Sequence, residues 1–211
     1  GEPCQITTSL PGEFNYSNIL AAITVAYLEG MTIPAIEAGI AGFPGIPGRY
    51  QEINCGQPFR IMVDFAHNPD ALKNILEMAG EQTKGRRILV FGCEGEKDRL
   101  KRPLMGEIAV LKAEVPILTS DNVYHEDLEQ IFADVFKELT PEERMKLQVE
   151  PDRRKAIQKA IDLAQPGDFV IIAGKGNEEY LIIENERIPF DDVEVVKEIL
   201  KELGEERMKG Q

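Results

Sequence analysis

From Phe59 onward, short apolar runs rich in strand formers take turns with stretches whose apolar positions recur every three to four residues. The runs are 59–65 (FRIMVDF), 87–91 (RILVF), 115–119 (VPILT), a short piece at 146–149 and 168–173 (DFVIIA). The helical stretches are 69–82, one opened by Pro103, about 126–139, 151–164 and 191–203, the last stopped by Gly204 before a charged tail. Residues 180–183 and 187–190 flank Glu184-Asn185-Glu186 and predict a closing hairpin. Near-continuous apolar runs are what strands covered on both faces require. The predicted fold is therefore α/β: a Rossmann-like, mostly parallel sheet with helices on both faces.

Upstream the pattern changes. Residues 15–29 predict a strongly apolar helix with Ile19, Ala22, Ile23, Ala26 and Tyr27 at helical spacing, ended by Gly30. A second short helix spans 34–41 and stops near Gly42, while residues 1–13 hold one strand-like piece and a Leu10-Pro11-Gly12 turn. Phe43-Pro44-Gly45-Ile46-Pro47-Gly48 punctuates the chain, so the domain boundary is placed there, dividing 1–47 from 48–211. One helical pair cannot bury its own apolar face, so residues 1–47 read as the end of a larger domain whose body lies elsewhere.

A net charge of −13 over 211 residues argues against a nucleic-acid partner, because phosphate backbones need clustered Lys and Arg. A local site for an anionic ligand stays open. No apolar run approaches membrane-spanning length. Cys4, Cys55 and Cys93 are widely spaced with no CxxC pair, which predicts a reducing compartment. With no signal peptide at the start, the expected location is cytoplasmic.

Candidate chemistry gathers where strands hand over to helices. In Val63-Asp64-Phe65-Ala66-His67-Asn68-Pro69-Asp70, Asn68 suits a helix N-cap, Pro69 the first helical position and Asp70 the positive end of the dipole. Asp64 and His67 thus fall at the carboxyl edge of the sheet, where open α/β sheets bind nucleotides. Three more loops should emerge on that edge: 92–102 with its glycines and four cations, Asp121-Asn122, and Gly174-Lys175-Gly176-Asn177-Glu178. Other templates fail. Lys175 is followed by Gly and preceded at 169 by Phe, which is no Walker A loop; no GxGxxG opens a helix and no serine sits in a G-x-S-x-G elbow. His67 and His125 stand apart, without metal-ligand spacing.

Taken in order, these motifs resemble the C-terminal part of the Mur ligases, above all the UDP-N-acetylmuramoyl-tripeptide synthetases. The matching residues are Leu10-Pro11-Gly12-x-Phe14-Asn15-x-x-Asn18-x-Leu20-Ala21-Ala22, Pro47-Gly48-Arg49, and Asp64-x-Ala66-His67-x-Pro69-Asp70-Ala71-Leu72. They continue as Phe91-Gly92-Cys93-x-Gly95, Lys101-Arg102-Pro103-Leu104-Met105-Gly106, Asp121-Asn122 and Ala173-Gly174-Lys175-Gly176-x-Glu178-x-Tyr180.

In that family ATP activates a substrate carboxylate as an acyl phosphate, and an incoming amine attacks it to form an amide in cell-wall precursor synthesis. The resemblance implies nucleotide binding by Asn15 and Asn18 (adenine), Arg49 and Asp64 (ribose or adjoining phosphate) and His67 (phosphates). It places Lys97, Asp121, Asn122, Tyr124, Gly174 and Glu178 in the pocket for the incoming amino acid. The implied partners are a UDP-MurNAc-peptide, an amino acid, and the N-terminal and central domains of the ligase. Residues 1–47 become the remnant of the central ATPase domain. That domain carries the Gly-Thr-x-Gly-Lys-Thr loop, a carbamylated lysine and the magnesium ligands, so ATP and Mg²⁺ are bound mainly there. No catalytic residue and no metal ligand is assigned in this chain, which alone is expected to be inactive.

Some residues depart from the family pattern. Asp121-Asn122-Val123-Tyr124 replaces Asp-Asn-Pro-Arg, and Gly95-Glu96-Lys97-Asp98 replaces Gly-Asp-Arg-Asp. Two guanidiniums that would grip a distal carboxylate are gone, which argues against meso-diaminopimelate and leaves lysine or another residue for Glu178 to hold. Asn177 stands where the family usually has His. Ala66-His67-Asn68-Pro69 is also how folylpolyglutamate synthetases read. Such a ligase, a pseudomurein-type ligase, or a binding module that lost its activity are the alternative readings.

Overall fold

The structure is a computed structural model and describes residues 5–209. It divides into two compact units that meet between Ile46 and Pro47. The first contains α1 (Phe14–Leu28) and α2 (Ile33–Ala41). On α1, Ile19, Ile23 and Ala26 are half-buried at helical spacing, whereas Tyr16, Leu20, Val25, Tyr27 and Leu28 are exposed. The strand-like piece expected near the start does not form among residues 5–13. Residues 1–4 lie outside the described residues.

The second unit is built on a six-stranded sheet of order β1-β2-β6-β3-β4-β5. Its strands are β1 (Gln51–Glu52), β2 (Arg60–Asp64), β3 (Arg87–Phe91), β4 (Val115–Leu118), β5 (Gln148–Val149) and β6 (Phe169–Ala173). β1 runs antiparallel to β2, and every other pairing is parallel. Helices α3 (Pro69–Gln82), α4 (Lys101–Lys112), α5 (Leu128–Phe136) and α7 (Arg153–Leu163) cross between strands. α6 (Pro141–Lys146) is a single turn and a half before β5, and α8 (Asp192–Lys209) closes the chain. β7 (Tyr180–Ile183) and β8 (Glu186–Pro189) form the predicted hairpin as a separate two-stranded sheet.

Successive residues of a strand point to opposite faces, and the core divides accordingly. Met62, Leu89, Phe91, Leu118, Phe169 and Ile171 pack with Leu72 and Leu76 of α3, Met105 and Ala109 of α4, and Ile131 and Val135 of α5. Ile61, Val63, Ile88, Val90, Ile117, Val170 and Ile172 face Ile157 and Ile161 of α7 and Val196 and Ile199 of α8. The doubly covered, mostly parallel sheet is the expected one.

Local chemistry sets the element ends. Asn68 Oδ1 accepts from Ala71 N at 2.9 Å, with Pro69 at the first helical position as the sequence suggests. α4 begins two residues before Pro103, which sits in the first turn where its missing N–H costs nothing. Asp127 caps α5, so the helix starts at Leu128 and not at 126, and it ends at Phe136 rather than 139. A Thr140–Glu143 capping box then starts α6, which apolar periodicity did not reveal because none of its residues is buried. α8 runs through Gly204 instead of stopping there. A Cβ on Gly204 would meet nothing within 4 Å, so this glycine answers to no steric demand.

Leu76 is fully buried beneath α3. Leu76→Ala is expected to lower the unfolding free energy by roughly 2–5 kcal/mol in urea titration.

Candidate functional site

Parallel pairing in register brings the ends of β2 and β6 level: Asp64 stands opposite Ala173, and Gly174 N donates to Asp64 O at 3.1 Å. The loops after β2, β3, β4 and β6 therefore leave the sheet on one edge, and side chains from them meet there. Nine of the sequence-derived candidates lie in this unit, on these loops or on the Pro47–Tyr50 turn beside them: Arg49, Asp64, His67, Lys97, Asp121, Asn122, Tyr124, Gly174 and Glu178. Asn15 and Asn18 are on α1 in the other unit, where Asn18 Nδ2 donates to Asn15 Oδ1 at 3.0 Å and Asn15 Nδ2 to Pro11 O at 2.6 Å.

At one side of the edge, the Asp64 carboxylate is nearly buried and accepts Tyr50 N at 2.7 Å and Ala66 N at 2.8 Å. Burial raises its pKa, opposed by those two backbone N–H groups and by the charge on Arg49. The exposed Arg49 guanidinium lies over the Phe65 ring, 4.4 Å from its centroid, and forms no salt bridge among the described residues. His67 packs edge-on against the same ring at 4.6 Å, and its Nδ1 lies 2.9 Å from Phe65 O. The half-buried Phe65 thus carries a free cation on its face and an imidazole at its edge. Lys101 Nζ donates to His67 O at 2.8 Å and pins the loop from α4.

Arg49 reaches this edge because of a backbone contact no side chain could share. Gly48 has φ +68°, and a Cβ there would stand 2.1 Å from Asn177 N and 2.3 Å from Gly176 C. The Pro47–Tyr50 turn is thereby pressed against the Gly174–Asn177 loop.

The other side of the edge is a polar network. Lys175 is fully buried, and its ammonium donates to Glu178 Oε2 at 2.7 Å and Asn122 Oδ1 at 3.2 Å, with Asp121 Oδ1 at 3.9 Å. Asn122 Nδ2 donates to Glu178 Oε2 at 2.9 Å, and Asn122 Oδ1 also takes Ile182 N from β7 at 3.0 Å. Glu178 Oε1 makes no hydrogen bond among the described residues, and its carboxylate stays a quarter exposed. Gly174, at φ +117°, lets the β6 loop approach until a Cβ would be 2.7 Å from Asp121 Oδ2. Tyr124, at φ +51°, faces Lys97 with the ammonium 5.5 Å from the ring centroid.

Four buried cations were not among the sequence candidates: Lys175, Lys101 and Arg102, whose motifs were noted but not their places in the structure, and Arg153, at the start of α7. Arg102, also buried, ties the 92–102 loop down through Glu126 at 2.7 Å, Asp134 at 2.8 Å and Glu94 O at 2.9 Å. Among the described residues no three His, Cys, Asp or Glu side chains gather into a metal cage. A cleft of about 740 Å³ opens at the opposite end of the sheet among residues 52–61, 82–85 and 166–168. It includes none of the candidates.

The comparisons bear on this edge. Residues 48–176 match the family model described as "Mur ligase, glutamate ligase domain". The UDP-N-acetylmuramoyl-L-alanyl-D-glutamate–2,6-diaminopimelate ligase of Syntrophomonas wolfei is 44% identical over 196 residues, covering 93% of this chain and 40% of that protein. The enzyme of the same name from Synechocystis is 46% identical over 197 residues, covering 90% of this chain and 38% of that protein. A solved structure of a ligase with that name superposes with a TM-score of 0.72 at 39% identity, over 94% of this chain and 40% of that one. The chain therefore spans about two fifths of the relatives it matches.

The Arg102 guanidinium holds the Glu126 carboxyl down at about pKa 2, well below its unfolded value. The stabilisation this provides is complete above about pH 4.5 and is lost as pH falls through about 2. In urea unfolding, Glu126→Gln is expected to be less stable than the parent at neutral pH. The gap should close between pH 4.5 and 2; a gap independent of pH would show that the ion pair is not the cause.

Proposed function

Because the chain belongs to the Mur ligase family through its glutamate ligase domain, we propose that it serves an ATP-dependent ligase that joins an amino acid to a UDP-MurNAc-peptide. The observation that carries this reading is the meeting, on one sheet edge, of an exposed guanidinium beside a buried carboxylate and of a partly exposed glutamate backed by a buried lysine. The first pair suits a nucleotide. Arg49 can hold phosphate oxygens through its planar fork, and the carboxylate of Asp64 is oriented by two backbone N–H groups toward ribose hydroxyls. His67 stands beside Arg49 on the same ring, and in this reading it would face the phosphates. Asn15 and Asn18 would contribute to the adenine site, and residues 1–47 would belong to a central ATPase domain.

The second group suits the incoming amino acid. Glu178 presents its unbonded Oε1 to an ammonium, while Asn122 and Lys175 hold Oε2 and prevent the carboxylate from turning. Lys97 and Tyr124 form the outer wall, with Asp121 and Gly174 behind it. ATP with Mg²⁺, held mainly by the central domain, supplies the activation of the acceptor carboxylate. This chain's residues orient the nucleotide and deliver the amine. The relatives' names support diaminopimelate as the amino acid; Lys97 and Tyr124, which stand where the family pattern has two arginines, favour L-lysine as a second reading.

The test is a chimera in which these residues replace the matching segment of the Syntrophomonas wolfei ligase. The 211-residue chain alone is expected to release no ADP. The chimera should release ADP only when UDP-MurNAc-dipeptide and an amino acid are both present. Glu178→Gln should raise KM for the amino acid at least tenfold and leave KM for ATP within about twofold. A chimera that folds yet releases no ADP with either meso-diaminopimelate or L-lysine would end the reading.

A further inference from the structure

Arg153 opens α7 far in sequence from either loop of the amino-acid pocket, and its side chain is completely buried. Nε and Nη2 grip the two oxygens of Asp192 at 2.8 and 2.7 Å; that carboxylate is also fully buried and is the first residue of α8. Nη2 donates again to Ala173 O at 3.0 Å, and Nη1 to Ser120 O at 3.3 Å. Ala173 is the last residue of β6 and Ser120 directly precedes Asp121. One guanidinium plane therefore spans the roots of both loops whose tips carry Asp121, Asn122, Lys175 and Glu178. The 3.9 Å from its Nη2 to where a Cβ on Gly174 would stand places it immediately behind the close approach of those loops.

A buried ion pair is weak support for stability, because apolar side chains fill the same space without the desolvation cost. An apolar side chain could not fix two carbonyls and a helix terminus in one plane. On this geometry, and resting on the ligase reading above, we propose that Arg153 is a positioning residue for the amino-acid pocket, setting the separation of the Asn122 and Glu178 loops and tying it to α8 through Asp192. A lysine here reaches one or two of these partners and loses the planar fork.

Two measurements test this. In the ¹⁵N-labelled 211-residue chain, the side-chain amide of Asn122, identified by its loss in Asn122→Ser, reports its bond to Glu178. Arg153→Lys should shift that pair of resonances toward those of a solvated amide. Val196→Ala, which loosens α8 within the core it shares with α7 and touches neither loop, should leave it in place at an equal loss of Tm. In the chimera, Arg153→Lys should raise KM for the amino acid at least tenfold, with KM for ATP within about twofold, and Val196→Ala should change neither. Equal effects of the two substitutions on the resonance and on KM would overturn the proposal and leave Arg153 a packing residue. A chimera without turnover would refute the ligase reading alone, since the amide resonance still decides the role of Arg153.

Discussion

The arrangement of the candidate site depends on a lysine with no access to water. Burying an ammonium is costly unless it is paired and hydrogen-bonded, and Lys175 is held by Glu178, Asn122 and, more distantly, Asp121. Removing any of these partners would leave charge stranded in a low-dielectric interior. The network therefore favours one mutual placement of the β4 and β6 loops. That placement leaves Glu178 a quarter exposed, with one oxygen committed and the other open. The same logic recurs nearby: Arg102 is fastened by Glu126 and Asp134, and Arg153 by Asp192.

The backbone makes this economy of contacts possible. Gly48 and Gly174 each sit where a Cβ would overlap a neighbouring loop, so chain segments touch directly and their side chains project outward around the contact. Arg49, Phe65 and His67 are thereby stacked at one end of the edge, and Asn122, Lys175 and Glu178 interlocked at the other. On the proposed ligase reading, this separation lets a nucleotide and an amine be held at once.

Much of this was legible in the chain. The four long strands β2, β3, β4 and β6 were visible because each is buried on both faces and so is apolar almost without interruption, and the Asn68-Pro69-Asp70 cap marked α3 at its first residue. What escaped was local or tertiary. β1 has only two residues, too few for a periodic signal, and α6 rests on a capping box rather than on an apolar stripe. Gly204 looked like a stop, yet the helix continues because glycine there costs only about 1 kcal/mol relative to alanine and nothing forces the chain to turn. Arg153 was least legible of all. A basic residue in the first turn of a helix reads as solvated, and only the arrival of α8, some forty residues later, encloses it.

The brevity of the two outer strands has a consequence for the molecule's behaviour in company. β1 and β5 form the margins of the six-stranded sheet, and each exposes the unpaired backbone of only two residues. A passing extended chain finds almost no template on which to zip itself, since edge-to-edge recruitment needs a longer run of free donors and acceptors. The long central strands, the most amyloid-prone stretches by composition, are kept internal by these two dipeptides.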